Sequence, residues 1–558
     1  MMNQDSKPLI VQRDRTLLLE VNHPKYEKVR ELLVPFAERV KSPECIHTYR
    51  ITPLSLWNAA ALGMKADEII HILRENSKVT LPLSIQSEVQ EWMGRYGKLR
   101  LEPWGNDLAL VSDDANLLTQ VSRFPEVVKR IKKVESNRFL LKQEDRGFLK
   151  QALVQEGYPV EDQAGYTTGE ELRLQLRKRS RSGIPFQLRE YQEQAIEAFY
   201  RNGSASGGNG VILLPCGAGK TIVGLAVLAR LEKETLILTP NATSVRQWID
   251  EILDKTDLSR EQVGEYTGTR KEVKPVTVAT YQILTHRGRQ KSFTHLNLFH
   301  RRDWGLIIYD EVHLLPAPVF RATADLQARR RLGLTATLVR EDGREKDVFS
   351  LIGPKIMEAP WKELEDRGWI ATARCTEIRA SMAEERYREY RTAGRRQKYR
   401  IAAENPDKLM VLERIIRHHA PEPVLIIGQY LNQLGHIASH LSAPLITGST
   451  SHQRREQLYQ LFRQGQIPVL IVSKVANFAV DLPDVRVAVQ VSGTFGSRQE
   501  EAQRLGRILR PKKTDNQAFF YQIVTRDTLD QEYAQNRQLF LIEQGYHYHV
   551  MDAEQWEV

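Results

Sequence analysis

A loop of phosphate-binding type is the first part of the sequence whose residues could do chemistry. The segment Pro215-Cys216-Gly217-Ala218-Gly219-Lys220-Thr221 follows an apolar run and precedes a helix-length stretch. Gly217 and Gly219 let backbone N–H groups approach a phosphate, and the following helix adds the positive charge of its N-terminus. Lys220 is placed to reach the β- and γ-phosphates, and the Thr221 hydroxyl is placed to hold Mg²⁺. The loop therefore predicts a site for the phosphates of a nucleotide, together with Mg²⁺.

A carboxylate pair stands at the end of a later apolar run. Asp310 and Glu311 directly follow Leu306-Ile307-Ile308-Tyr309. We expect Asp310 to hold Mg²⁺ through its water shell and Glu311 to polarise the attacking water. Such pairs also occur as ordinary helix caps, because carboxylates favour helix N-termini. The phosphate loop upstream favours the catalytic interpretation.

Basic residues near the C-terminus could complete the same site. Arg507 and Arg510 lie three positions apart in the segment 503–510, on one face of a predicted helix. A solvated face is the alternative interpretation. If a second α/β domain faces the nucleotide, these residues act as arginine fingers on the γ-phosphate, and Gln503 lies in the same segment. Hydrolysis would then depend on closure of the two domains.

Two sets of short apolar runs, separated by helix-length amphipathic stretches, must position these residues. Continuous apolar runs predict strands that are buried on both faces of a parallel sheet. We therefore predict the α/β class, with two tandem doubly wound parallel-sheet domains behind an α+β N-terminal region. The runs are 211–214, 235–238, 276–279, 306–309 and 332–335, and then 424–427, 445–447, 469–472, 487–491 and 519–524.

The residues before 185 follow a different pattern and contain no catalytic cluster. We predict strands at 9–11 and 17–21, helices at 24–40, 53–61 and 66–76, a strand pair within 98–112 and a basic helix at 124–134.

Composition sets limits on these interpretations. The 558 residues are too many for one hydrophobic core. The 80 Lys and Arg against 70 Asp and Glu give a net charge of +10, which permits polyanion binding without requiring it. Three distant cysteines predict neither a disulfide framework nor a zinc site. With no signal pattern and no bilayer-length apolar run, we expect no membrane segment and a reducing cytoplasm.

The ordered motifs LLPCGAGKT (213–221), DEVH (310–313), GLTATLVRED (333–342) and QRLGRILRPK (503–512) resemble superfamily-two helicases, specifically the XPB repair and transcription helicases. The resemblance covers nearly the whole chain, including residues 46–56 and 96–98 of the N-terminal region, and points to the bacterial branch. It implies RecA-like motor domains.

The resemblance implies further roles. It assigns adenine binding to Arg189 and Gln192 and ribose contact to Asp481. It assigns contact with the DNA strand to Thr239, Pro240, Asn241, Thr280 and Gln282. It assigns the coupling of hydrolysis to strand binding to Thr335 and Thr337, and separation of the duplex to Arg340, Glu341 and Asp342. The strand-contact residues could equally be simple strand-end caps. Alanine at 479, where many members have glycine, weakens the assignment of Asp481.

Residues 381–404 fall where the family carries a thumb-like insertion. Basic side chains interleaved with Tyr387, Tyr390 and Tyr399 could hold phosphates and stack bases, or form a solvated face. The expected domains are 1–120, resembling the family's N-terminal domain, and 121–185, a small recognition-like domain and linker. The expected motor domains are 186–370 and 371–558.

The resulting prediction is an ATP-dependent 3′–5′ DNA helicase that opens duplex DNA, with a role in repair. Its expected partners are single-stranded DNA, fork junctions and a nuclease or repair protein, and we expect a monomeric motor in the bacterial cytoplasm at the nucleoid. One alternative is a translocase on double-stranded DNA or RNA that does not unwind. Another is a DNA-binding scaffold whose ATP site is vestigial.

Overall fold

The computed structural model describes residues 7–41, 46–135, 137–165, 168–201, 207–215, 217–286, 294–316, 319, 329–336, 345–359, 361–473, 485–493, 505–506, 509, 511, 515–543 and 546–556. The chain forms two compact units. The first comprises residues 1–214 and 219–359, and the second comprises 215–218 and 360–558.

The first unit begins with a four-stranded antiparallel sheet, in the order β1-β2-β4-β3. Four helices complete this layer and share one hydrophobic core with it. The strands are β1 (Leu9–Val11), β2 (Thr16–Glu20), β3 (Glu38–Lys41) and β4 (Ile46–Arg50), and the helices are α1 (Tyr26–Leu33), α2 (Pro53–Ala61), α3 (Ala66–Asn76) and α4 (Leu83–Met93).

A five-stranded sheet in the order β7-β8-β6-β5-β9 follows, with a core of its own. Its elements are β5 (Leu99–Trp104), β6 (Asp107–Val111), α5 (Ala115–Val121), α6 (Pro125–Val128), β7 (Lys132–Glu135), β8 (Arg138–Leu141), α7 (Arg146–Gln155) and β9 (Val160–Asp162). Because strands from both sides of residue 120 share this sheet, the boundary expected there falls inside it. We propose a boundary between Met93 and Leu99 instead.

Two predicted helices of this region differ from the structure. The helix predicted at 24–40 ends at Leu33 and gives way to strand β3, and the one predicted at 124–134 is a single turn followed by β7. In both places a neighbouring strand pairs with the chain and overrides its local helical pattern, β4 in the first case and β8 in the second.

The largest sheet of the first unit has seven parallel strands in the order β12-β13-β11-β14-β15-β10-β16. The strands are β10 (Asn209–Leu213), β11 (Thr235–Thr239), β12 (Val263–Tyr266), β13 (Val276–Thr280), β14 (Leu306–Asp310), β15 (Arg330–Thr335) and β16 (Lys355–Glu358). β11 and β13 are buried along their whole length, as strands covered on both faces must be. Neighbouring strands β14, β15 and β10 end at the same edge, which brings the segments after them together.

Among the described residues, five α-helices accompany this sheet. They are α8 (Glu190–Tyr200), α9 (Lys220–Leu231), α10 (Ala242–Lys255), α11 (Tyr281–Leu284) and α12 (Glu345–Leu351), and short 3-10 helices span Leu296–His300 and Val312–Leu314.

The second unit contains another seven-stranded parallel sheet, in the order β19-β20-β18-β21-β22-β17-β23. The strands are β17 (Thr372–Ala380), β18 (Val424–Gly428), β19 (Leu445–Ile446), β20 (Val469–Ser473), β21 (Val487–Gln490), β22 (Gln517–Thr525) and β23 (Tyr548–Asp552). The helices are α13 (Trp361–Asp366), α14 (Glu384–Thr392), α15 (Arg395–Ala403), α16 (Lys408–His419), α17 (Leu431–Leu441), α18 (His452–Arg463) and α19 (Leu529–Glu543). The prediction of two tandem parallel α/β domains is confirmed. Within the described ranges, no helix combines the length and apolarity needed to cross a membrane.

Candidate nucleotide site

The predicted phosphate loop connects β10 to α9. Gly217 and Gly219 have φ values of +84° and +79°, in a region that residues with a Cβ rarely enter. α9 begins at Lys220, and the first N–H groups of a helix lack intrahelical partners and carry partial positive charge. Thr221 follows in the first turn, where its side chain is half-buried. The loop thus has the backbone geometry that anion binding requires.

The carboxylate pair lies at the end of β14. Asp310 is the last residue of the strand, and Glu311 has φ +50° and ψ 54°. This left-handed conformation costs a non-glycine residue about 1 to 3 kcal/mol, and such strain concentrates at functional sites. Oε1 of Glu311 lies 3.3 Å from Nζ of Lys220, and these side chains are 18% and 11% exposed. The structure therefore brings the loop lysine and the carboxylate pair together.

The acidic segment is also joined to the end of β15. The backbone N–H of Ala336 donates a hydrogen bond to the Glu311 carboxylate. His313 Nδ1 lies 2.6 Å from Oγ1 of Thr335 and 3.4 Å from Oε2 of Glu311. The segments 310–313 and 335–336 are thus joined by hydrogen bonds.

Two aromatic residues that were not predicted as site residues hold Asp310. Trp248 of α10 donates from Nε1 to Oδ2 of Asp310 at 2.9 Å, and the Tyr281 hydroxyl donates to its backbone oxygen at 2.9 Å. Trp248 lies on the apolar face of its helix, where the pattern indicates only a core residue. Sequence reasoning could have found Trp248 only through the general rule that a buried indole N–H needs a hydrogen-bond acceptor.

Burial and charge move the pKa values of the two carboxyl groups apart. Burial, and then the charge of Glu311, raise the pKa of Asp310 to about 6, against the opposing effects of Trp248 and Lys220. Burial also disfavours ionised Glu311, but Lys220 and His313 outweigh it and lower the pKa of that carboxyl. Glu311 is therefore the first of the pair to ionise.

The adenine candidates lie at the start of α8. The backbone N–H of Arg189 donates to Oε1 of Gln192 at 3.0 Å, and the guanidinium of Arg189 lies 3.4 Å from the Tyr191 hydroxyl. Gln192 is buried, and a Cβ placed on Gly219 would lie 2.7 Å from its Nε2. The Gln192 amide thus packs directly against the phosphate loop.

The candidates for strand contact lie at the carboxyl ends of β11 and β13. They are Thr239, Pro240, Asn241, Thr280 and Gln282. Asn241 caps α10 and Thr280 caps α11 through their side chains, and Thr239 is fully buried. Pro240 is half-buried and Gln282 is exposed. The side chains of Asn241 and Thr280 therefore act as caps, and Gln282 is the one of the five that is open to solvent.

Residues 381–404 contain the helix pair α14 and α15. Tyr399 is fully buried and its hydroxyl donates to the backbone oxygen of Gly493 at 2.6 Å, so it is not placed to stack on a base. Arg395, Arg396 and Arg400 on the same helix are exposed. The helix pair thus has a basic outer face that is exposed to solvent and an inner face that is buried.

Nine predicted site residues lie outside the described residues and stay predictions. They are Cys216, Thr337, Arg340, Glu341, Asp342, Asp481, Gln503, Arg507 and Arg510.

Family models match three parts of the chain. Residues 364–557 match the ERCC3/RAD25/XPB C-terminal helicase model. Residues 185–340 match the model of the type III restriction enzyme, res subunit, and residues 9–137 match a helicase conserved C-terminal domain.

Several proteins are similar to this chain over almost its full length. The DNA 3′-5′ helicase XPB of Kineococcus radiotolerans is 51% identical over 98% of this chain and 97% of its own length. The protein of the same name from Mycobacterium tuberculosis is 49% identical, covering 98% of each. The general transcription and DNA repair factor IIH helicase/translocase subunit XPB of Enterocytozoon bieneusi is 33% identical over 98% of this chain and 92% of its own length. The expected resemblance is confirmed, and the chain belongs to the XPB helicase family.

Proposed function

We propose that this chain is an ATP-dependent 3′–5′ DNA helicase that couples hydrolysis to the opening of duplex DNA in repair. The observation that carries the proposal is the approach of Lys220 to Glu311 at the carboxyl edge of a parallel sheet, where such sheets bind ligands. The substrate and polarity are supported by the two DNA 3′-5′ helicases that match over nearly the whole chain.

The chemistry of the site fits a nucleoside triphosphate with Mg²⁺. Two adjacent, partly buried carboxyls lie near one lysine, a donor set that favours an added cation. Within the described ranges, no cluster of three or more His, Cys, Asp or Glu side chains could hold a metal. We therefore propose that Thr221 and Asp310 hold Mg²⁺ with help from water and phosphate, and that the bound ion offsets phosphate charge.

The chain's own residues then have separate tasks. Lys220 binds the β- and γ-phosphates, and the backbone of residues 215–219 surrounds them. Glu311 stays ionised and orients the attacking water, while Trp248 fixes the carboxylate of Asp310. Arg189 and Gln192 bind the adenine. The hydrogen bond between His313 and Thr335, and the one from the Ala336 N–H to Glu311, support a route from hydrolysis to the strand.

Residues predicted from the motifs complete the proposal. Gln503, Arg507 and Arg510 contact the γ-phosphate, Asp481 contacts the ribose, and residues 340–342 separate the duplex. Thr335 and Thr337 couple these events, and residues 239–241, 280 and 282 contact the strand. The motor domains are 186–370 and 371–558. We further propose a monomer that acts at forks with a nuclease or repair partner in the bacterial cytoplasm.

A translocase that follows the duplex without unwinding it is the second candidate, because the matched factor IIH subunits are named helicase/translocase. Strand displacement on forked DNA, measured with ATP turnover, separates the two. Turnover with displacement supports the helicase, and turnover without displacement supports the translocase. Wild-type protein without DNA-stimulated turnover would leave only a scaffold.

A further inference from the structure

One helix of the second unit has two unlike faces. Arg395, Arg396 and Arg400 of α15 are exposed, whereas Tyr399 and the helix end at Ala402 and Ala403 are fully buried. An exposed arginine cluster is suited to a phosphate backbone. Because both faces belong to one helix, a movement of the outer face on binding would also move the buried face.

The buried face is hydrogen-bonded to the chain just beyond β21. The Tyr399 hydroxyl donates to the oxygen of Gly493 at 2.6 Å. The plane of the Arg537 guanidinium packs on this glycine, since a Cβ there would lie 2.3 Å from its Cζ. Tyr399 also packs edge-on against Tyr533, with ring centroids 4.8 Å apart. The contact is thus enclosed on several sides.

A second connection runs through Gln433 of α17. Its Nε2 donates to the oxygen of Ala403 at 2.7 Å, and its Oε1 accepts from the Ser492 hydroxyl at 2.7 Å. Lys408, itself paired with Asp530, donates to the oxygen of the preceding residue, Val491, at 2.9 Å. Residues 491–493 are therefore held by side chains from three helices.

We propose that Tyr399 is a positioning residue that transmits DNA binding on the arginine face of α15 to residues 491–493, and so to DNA-stimulated ATP turnover. The inference rests on the proposed function. Residues 491–493 lead along the chain toward Gln503, Arg507 and Arg510, which are the residues proposed to contact the γ-phosphate. Tyr399 acts through the backbone and touches no reacting group.

Tyr399→Phe tests the connection, because it removes only the hydroxyl. We expect DNA-stimulated kcat to fall about fivefold or more, the lower range of measured site-to-site couplings, with DNA-free turnover, KM for ATP and DNA affinity unchanged. Tyr521→Phe is the matched control. Its buried hydroxyl, on β22, lies 2.8 Å from Nε2 of His419 and makes no described hydrogen bond to residues 491–493.

Gln433→Met is a second variant, which removes the hydrogen bonds of Gln433 to Ala403 and Ser492. It should lower the stimulation of ATP turnover by DNA in the same way. Loss of stimulation in both variants, with melting temperatures that keep them folded, supports the inference. Unchanged stimulation in either folded variant overturns it, as does an equal fall of basal and stimulated turnover. A wild-type protein that DNA does not stimulate overturns the proposed function, and the inference with it.

Discussion

Nζ of Lys220 lies 3.3 Å from Oε1 of Glu311, which joins the cation at the start of α9 to the carboxylate that follows β14. Both side chains are mostly buried, so each offsets the charge of the other. A phosphate that draws Lys220 toward itself weakens this ion pair. We therefore propose that nucleotide binding and the release of Glu311 for water orientation are parts of one event.

Lys220→Ala should reduce ATP turnover by about 10²–10³-fold, because the lysine charge offsets the charge that develops on the γ-phosphate. Steady-state phosphate release measures the effect. Arg230→Ala is the control, since it removes a half-exposed cation from the other end of the same helix. Near-normal turnover of the Lys220 variant would contradict the site assignment.

Glu311→Gln should bind ATP but hydrolyse it about 100-fold more slowly, because the amide cannot accept a proton from water. Isothermal titration gives the affinity and single-turnover kinetics the rate. Glu197→Gln, a change at an exposed position of α8, controls for loss of an acidic side chain. If the Glu311 variant did not bind ATP, this would contradict the proposal that Glu311 acts only on the attacking water.

Trp248→Phe should shift the pH dependence of turnover. The pKa of Asp310 is raised to about 6, so we expect kcat/KM for ATP to decrease as the pH falls through this value and Asp310 is protonated. The indole N–H stabilises the ionised carboxyl, so its loss should raise the pKa further and move the decrease about one unit toward higher pH. Trp304→Phe is the control, because Trp304 donates to the oxygen of Leu298 instead. An unshifted profile would show that Trp248 acts by packing alone.

Asp162→Asn should destabilise the second N-terminal sheet. Asp162 pairs with Arg146 at 2.7 Å and Lys150 at 2.9 Å, and both cations are buried, so neutralising it should cost about 3 to 5 kcal/mol of unfolding free energy. Burial disfavours the ionised carboxyl, but Lys150 and Arg146 outweigh it and lower its pKa. The stabilisation is therefore present above the ordinary aspartate pKa and lost as the pH falls toward the lowered one.

Denaturant unfolding at pH 7 and pH 3 checks this prediction. The difference between the wild type and the variant should shrink at the lower pH. Asp113→Asn, which removes the mostly exposed partner of Arg100, should have little effect at either pH. If the two variants were equally stable, the buried ion pairs of Asp162 with Arg146 and Lys150 would make no net contribution to the free energy of unfolding.

Replacing Arg340, Glu341 and Asp342 together with alanine should spare ATP turnover and reduce strand displacement, as expected of residues that separate the duplex. The two assays on the same preparation provide the internal control. A parallel fall of both activities would show that the triplet is structural.

The sequence predicts the centres of the parallel sheets better than their edges. The strands at the centres of the sheets are continuous apolar runs, whereas the edge strands β16 and β23 mix charged and apolar residues because they are partly exposed. β17, which lies next to the edge, shows the same mixture and is partly exposed at its start. Residues 355–358, for example, are half-buried throughout, and their sequence predicts no strand. β12 was also missed, although it is buried, because Val263–Tyr266 contains Gly264 and Glu265.

The candidate site shows the same limit. Lys220 belongs to one contiguous motif, and Asp310 and Glu311 belong to another, so the spacing within each motif is enough to predict these candidates from sequence. Trp248 and Tyr281 reach Asp310 from other elements, and only the order of strands in the sheet brings them there. Likewise, Tyr399 reads as an exposed aromatic among arginines until the fold buries it.

The edge strand β16 is bounded by the first N-terminal layer. The backbone N–H of Lys355 donates to Oδ1 of Asn58 at 2.9 Å, and Trp57 lies beside Phe349 with ring centroids 6.5 Å apart. An uncovered strand edge is a template onto which another chain can add. A shortened chain starting at residue 186 would keep every candidate catalytic residue, yet its sheet would offer that template to its own copies. Deleting the N-terminal layers should therefore show first as concentration-dependent aggregation.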